Sequence, residues 1–303
     1  MKASLQDRIS LHVLKVAKAR RRKYVSGEER EFYAEFFTDR DPEACAVDVR
    51  RILRNAELEA VLAECRAGET LVDLGCGVGD LCGILRGDLR RVGVDLSLPA
   101  LQHARLGLGT GVGLINGSLY DLPLCDGAAD VAICLEVLEH LREDGKALAE
   151  IARILRPGGR LILSVPGKVY FPEYLDLMGH WRHYTRAAVV EMLGCVGLRP
   201  ERFLRSYTRF GRCYLYIYLV LWLIAALARG LTGRHVTLYS MKVPLDRRPV
   251  YQRIAPALVR LARRQAASER DGRDADIFLV ATKGRIEEGE RGAGQAPPGG
   301  GTG

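Results

Sequence analysis

The segment VDLGCGVGD (72–80) constrains this chain more than any other. A short apolar strand runs into three glycines at alternate positions, Gly75, Gly77 and Gly79, and a helical pattern follows. Glycines at such a turn let the backbone bend sharply and let a ligand approach without Cβ atoms in the way. A dinucleotide fingerprint, G-x-G-x-x-G, requires glycine at position 80, where this chain has Asp80. Asp73, at the end of the strand, would repel a pyrophosphate but suits a cationic ligand carrying an amino group. Further on, VGVD ends in Asp95, where a strand-end carboxylate can accept hydrogen bonds from ribose hydroxyls or cap the next helix.

The surrounding pattern predicts an α/β fold. Short Val-, Ile- and Leu-rich runs at 71–75, 91–95, 111–116, 130–136 and 160–166 read as strands. Helical stretches at 79–86, 98–106 and 142–155 separate most of them. Alternation of this kind argues for a parallel sheet with helices on both faces. Pro157-Gly158-Gly159 reads as a turn leading into the fifth strand. A helix is expected at 185–195, a strand at 199–207 and a last strand at 276–282.

The domain organisation expected from these patterns begins with a basic arm, 1–27. A core with N-terminal cap helices, 28–208, follows. An insertion, 209–275, separates it from a last core strand, 276–283, and a Gly/Pro/Glu-rich tail, 284–303, should be disordered. Charge divides along the same lines. Residues 25–200 carry 19 basic and 27 acidic side chains, whereas residues 201–275 carry 15 and 5, and the first 24 residues carry eight and one. Basic flanks on an acidic body point to an anionic partner, either lipid or nucleic acid. The arm also reads as a plain solvated terminus.

None of the eight cysteines forms a C-x-x-C pair, so no metal is expected from cysteine spacing. No apolar leader opens the chain, and a reducing cytoplasm is the expected setting.

Four pieces, VDLGCGVGD, GVDLS, NGSLYDLPLCDGAADVAICLEVLEHL and LRPGGRLILSVP, resemble in order a class I S-adenosylmethionine (SAM)-dependent methyltransferase. The resemblance is to the small-molecule group that includes ubiquinone and menaquinone methyltransferases, and it covers about residues 71–165. It implies a Rossmann-like seven-stranded sheet, to which the residue patterns of this chain add N-terminal helices and a hydrophobic helical insertion before the last strand. That last strand would pair antiparallel between the fifth and sixth. It implies SAM as cofactor: Asp73, Gly75, Cys76 and Gly77 around the methionine part, Asp95 on the ribose and Leu96 beside the adenine. Ser118 and Leu119 would lie at the adenine edge, and Leu135 and Glu136 would border the sulfonium. Ser118 departs from the acidic residue usual there. A serine oxygen accepts a weaker hydrogen bond than a carboxylate.

Methyl transfer to a hydroxyl or phenol is helped by a general base. His140, His180 and His183 are the candidates, from EVLEHL and GHWRHYTR. His140 stands four residues after Glu136, a spacing that places both on one face of a helix. It also reads as a purely local hydrogen-bonding residue. The GHWRHYTR segment resembles one that closes over the acceptor pocket in relatives. Tyr184 and Arg182 read as structural.

Residues 213–228 contain no charged side chain and lie between Arg212 and Arg229. A 16-residue helix is roughly 24 Å long, short of a ~30 Å hydrocarbon core. A single crossing would also strand the last sheet strand on the wrong side. Two readings remain: a helix lying in a membrane interface with its Tyr and Trp residues at the headgroups, or a helix buried in a substrate lobe or dimer. The leading expectation is a methyltransferase acting on a lipid-like or other small-molecule acceptor at the cytoplasmic membrane face. RNA methylation is the alternative, disfavoured because no RNA-binding module and no Asn/Asp-Pro-Pro-Tyr sequence is present. A non-catalytic SAM-binding protein is the other.

Overall fold

The computed structural model describes residues 49–168, 180–204 and 276–284, with Ala257 and Arg260 as isolated positions. The N-terminal arm, the apolar segment 213–228 and the tail beyond Gly284 lie outside the described residues. Among the described residues no helix is long and apolar enough to cross a membrane.

Seven strands form one sheet: β1 (Thr70–Leu74), β2 (Arg90–Asp95), β3 (Gly113–Asn116), β4 (Ala129–Leu135), β5 (Leu155–Pro166), β6 (Leu198–Phe203) and β7 (Asp276–Lys283). Their order is β3-β2-β1-β4-β5-β7-β6. The first five are parallel to one another, and β7 runs antiparallel between β5 and β6, as the resemblance implied. Among the described residues five helices accompany them: α1 (Val49–Leu62), α2 (Asp80–Ile84), α3 (Leu98–Leu108), α4 (Asp144–Ile154) and α5 (Arg186–Cys195).

The strands read as nearly unbroken apolar runs because both faces of the sheet are buried. Side chains alternate between two cores. Val72 and Leu74, Ala132 and Cys134, Leu161, Leu163 and Val165, and Leu279 and Ala281 join α4 and α5 on one side. Leu71, Val131, Ile133, Ile162, Phe278 and Val280 meet Leu58, Val61 and Leu62 of α1 on the other. The helices that enter the carboxyl edge are capped locally. Ser97 Oγ accepts from the Ala100 N–H at 3.3 Å, and Thr185 Oγ1 from that of Ala188 at 3.2 Å.

Two local expectations are corrected. Pro157-Gly158-Gly159 does not precede the fifth strand but lies within β5, which starts at Leu155 and shifts register against β4 there. The bulge needs glycine, since a Cβ on Gly159 would stand 2.8 Å from the Arg156 carbonyl oxygen. The helix after the glycine loop is also shorter than the 79–86 pattern suggests, spanning Asp80–Ile84, because Leu85 turns to extended backbone.

Candidate active site

The parallel strands bring Asp73, Asp95 and Leu135 to one carboxyl edge, where ligands bind in sheets of this kind. Gly75, Gly77 and Gly79 all adopt positive φ, at 74°, 55° and 79°. At Gly75 the space is also taken: a Cβ would meet Val137 Cγ2 at 2.6 Å. The loop therefore requires glycine twice over, for conformation and for contact.

Asp95 ties this loop to β2. Its carboxylate accepts from the Gly77 N–H at 2.7 Å and from the Ser97 N–H at 2.8 Å. Asp73 is buried and accepts from the Cys82 thiol at 3.4 Å. Burial and the nearby Asp73 push the Cys76 and Cys82 thiols well above their ordinary range, so both stay protonated and behave as small apolar groups. Leu96 is half-buried beside Asp95, and Leu98 is 52% exposed just beyond it, an apolar ledge at the strand end. Ser118 Oγ accepts from the Tyr120 N–H at 3.2 Å, and Leu119 is buried in the core.

The turn after β4 differs from the sequence expectation. No helix joins Glu136 to His140. Glu136 has φ 57°, the one non-glycine residue at positive φ among those described, and a single 3-10 turn, Leu138–His140, follows it. The strain is held by β5: the Glu136 N–H donates to the Ser164 carbonyl at 2.9 Å, and the Ser164 hydroxyl donates to Glu136 Oε1.

The second histidine segment is fastened to the same turn. Tyr184 N–H donates to the Pro166 carbonyl at 3.0 Å, and Trp181 N–H to the Glu139 carbonyl at 2.7 Å. The Tyr184 hydroxyl donates to Asp144 Oδ2 at 2.8 Å, and Arg182 pairs with the same carboxylate. The structural reading of Tyr184 and Arg182 fits these anchors. Together they bring the three histidines into one chain. The His140 and His180 rings stack edge-on with centroids 4.6 Å apart, and His180 Nδ1 lies 2.9 Å from His183 Nε2. Burial pushes His183 down to about 4, so it is neutral at physiological pH.

Two residues at this edge escaped the sequence reading. Ser164 is a lone hydroxyl inside the apolar run LILSVP, and that is the signal that marks it. Glu139 has 0% exposure, and neither of its carboxylate oxygens accepts a hydrogen bond. Desolvation, and then the nearby Glu136, raise it well above the carboxylate range. One ligand atom each from Glu139, His140 and His180 lie within 4.8 Å of one another.

The sheet order departs from the dinucleotide-binding order 3-2-1-4-5-6 by inserting an antiparallel strand, and the glycine loop departs from that fingerprint at Asp80. Both departures are those of a class I SAM-dependent methyltransferase domain, which this chain carries. Residues 72–163 match the family described as a methyltransferase domain. A Mycolicibacterium smegmatis protein named as an S-adenosylmethionine-dependent methyltransferase is 32% identical over 144 residues, covering 46% of this chain and 56% of that protein. The ubiquinone biosynthesis O-methyltransferase of Thiobacillus denitrificans is 38% identical over 103 residues, covering 32% of this chain and 44% of that enzyme. The chain thus spans about half the length of the curated relatives it matches. Among solved structures, a chain of the Haloferax volcanii complex between the Trm112 methyltransferase activator and a methyltransferase shares the fold. Its TM-score is 0.55 at 19% identity, covering 84% of this chain and 98% of that one.

Proposed function

We propose that this chain transfers the methyl group of SAM to a hydroxyl or phenol oxygen on a small, lipid-like acceptor at a membrane surface. The observation that carries the reading is the chain of imidazoles, His140, His180 and His183, gathered on the carboxyl edge beside Glu136. The O-methyltransferase name of the Thiobacillus relative agrees with an oxygen acceptor.

The cofactor residues fit SAM by their chemistry. Gly75 and Gly77 give the left-handed turn whose backbone would face the methionine part, with Cys76 between them and buried Asp73 to receive its amino group. Asp95 offers its carboxylate to the ribose, Leu96 an apolar face to the adenine, and the Ser118–Leu119 backbone the adenine edge. Leu135 and Glu136 border the sulfonium. When bound, SAM supplies an activated methyl carbon. The protein's own residues then align the acceptor, exclude water and take up its proton. An imidazole of the chain would take the hydroxyl proton of the acceptor as its oxygen becomes methylated, with Leu135 and Glu136 holding the donor end of SAM.

The membrane part rests on sequence: the uncharged run 213–228 between Arg212 and Arg229, and the basic stretches on either side of the acidic core.

The test is transfer of label from methyl-tritiated SAM to a panel of phenolic quinone precursors and polyprenyl-linked sugars. Label is expected in the organic phase. His140→Ala and His180→Ala should each lower turnover at least tenfold with SAM affinity within about twofold, since acceptor-side groups act after cofactor binding. Label found only in RNA or protein would overturn the acceptor class.

A further inference from the structure

We propose that Glu139, His140 and His180 form a binding site for a divalent transition-metal cation on the acceptor side of the sheet edge. Glu139 is fully buried, and both of its oxygens lack a hydrogen bond. A buried carboxylate in that condition is costly, whether ionised or neutral, because buried polar groups are otherwise satisfied. Two imidazoles stand beside it, and the charges of Glu136, Asp276 and Arg54 also reach it. His140 Nε2 stands 3.8 Å from Glu139 Oε1. That is too long for a hydrogen bond, yet it suits two atoms bound to one ion at about 2.0–2.2 Å each. With all three ligand atoms within 4.8 Å of one another, an ion among them would sit at most about 2.8 Å from each, and small rotamer adjustments would close the remainder.

The surroundings hold the ligands in place. His183 Nε2 engages His180 Nδ1 at 2.9 Å, the outer-shell hydrogen bond that orients a ligating imidazole. Trp181 N–H donates to the Glu139 carbonyl, so the neighbour of one ligand is fastened to the backbone of another. The T-shaped packing of His140 on His180 keeps the two rings adjacent.

One carboxylate and two imidazoles select Zn2+, Mn2+, Co2+ or Fe2+ over Mg2+ and Ca2+, which favour all-oxygen shells. Three protein ligands leave at least one position open, as in catalytic metal sites. That position would take the acceptor's hydroxyl oxygen, whose acidity the ion would raise so that its proton passes to solvent without needing His140 or His180 as base. This last point rests on the methyl-transfer reading, whereas binding of the ion does not.

The test uses the full chain, stripped with chelator and titrated with Co2+ for its visible absorption and with Zn2+ by calorimetry. SAM calorimetry and thermal melts run in parallel. One equivalent of metal is expected. Glu139→Gln, His140→Ala and His180→Ala should each weaken binding at least tenfold, while His103→Ala, at an exposed histidine of α3, leaves it unchanged. If Glu139→Gln does not fold, His180→Ala decides alone, since His180 lies in a partly exposed segment. No saturable binding, or equal affinity in wild type and all three variants, overturns the site. Absent metal binding with intact SAM binding defeats this inference alone. Absent SAM binding with intact metal binding defeats the methyltransferase reading instead.

Discussion

Gly75→Ala separates two costs that glycine avoids at the cofactor loop. The first is conformational: at φ 74° an alanine sits in the left-handed region, about 1–2 kcal/mol above its preferred state. Lower entropy of the unfolded chain returns roughly 0.4–1 kcal/mol. The second is steric. The new Cβ would lie 2.6 Å from Val137 Cγ2 and 3.2 Å from Cγ1, and such overpacking costs typically about 1–3 kcal/mol. Gly68 isolates the first cost, since it has φ 81° and nothing within 4 Å of an added Cβ. Gly68→Ala should therefore lose no more than about 1.5 kcal/mol, and Gly75→Ala about 2–4 kcal/mol. Val137→Ala in the Gly75→Ala background removes the obstacle. A double-mutant cycle by urea denaturation should give a compensating coupling of about 1–2 kcal/mol with unchanged m-values. SAM calorimetry on the same proteins should show at least tenfold weaker binding for Gly75→Ala and none of that loss for Gly68→Ala. A coupling near zero, or equal destabilisation at the two glycines, would refute the contact with Val137.

Asp95→Ala should weaken SAM binding by about 1–3 kcal/mol, because the carboxylate that holds the Gly77 and Ser97 amides is lost together with the ribose acceptor; unchanged affinity in calorimetry would remove Asp95 from the site. Burial works against the Asp130 carboxylate, but the Thr70 N–H and the Arg156 guanidinium more than offset it and hold the group below its ordinary value. A folded pKa below the unfolded one gives stability that is present at neutral pH and lost as pH falls through the acid range. Asp130→Asn should therefore destabilise by about 1 kcal/mol at pH 7 and by progressively less toward pH 2, and a constant difference across that range in urea melts would count against the pairing. Replacing Leu219 and Leu223 with Glu should release the protein from anionic vesicles in a flotation assay while SAM binding persists, whereas high salt alone should release it only in part. Wild-type protein that never floats would defeat the membrane reading.

Much of the fold was legible because its physics is local. Val72, Leu74 and their neighbours form unbroken apolar strands, the mark of a sheet covered on both faces, and the glycine loop names the strand that opens the ligand edge. The antiparallel β7 came from resemblance; nothing in DIFLVAT states which strands it pairs with. The boundaries missed were those set by tertiary partners. Residues 155–159 continue β5 because Leu155 pairs with Ala129, a contact across the sheet that no helix-ending Pro-Gly-Gly pattern reveals.

The histidine site shows the same division more sharply. His140, His180 and His183 stood out by residue type, but their meeting depends on contacts between segments distant in sequence: Trp181 to the Glu139 carbonyl and Tyr184 to the Pro166 carbonyl. The helical spacing of Glu136 and His140 was misleading because a left-handed residue intervenes, and β5 stabilises it through Ser164. That kink has a consequence for Glu139. In a regular helix started at Glu136, residues 136, 139 and 140 would share one face, with the carboxylates side by side. With the chain reversed at Glu136, the Glu136 carboxylate is held by Ser164, and Glu139 is left buried against two imidazoles. The turn thus gives one acid a hydroxyl partner and leaves the other buried beside two imidazoles, still within reach of the Glu136 charge that helps raise it.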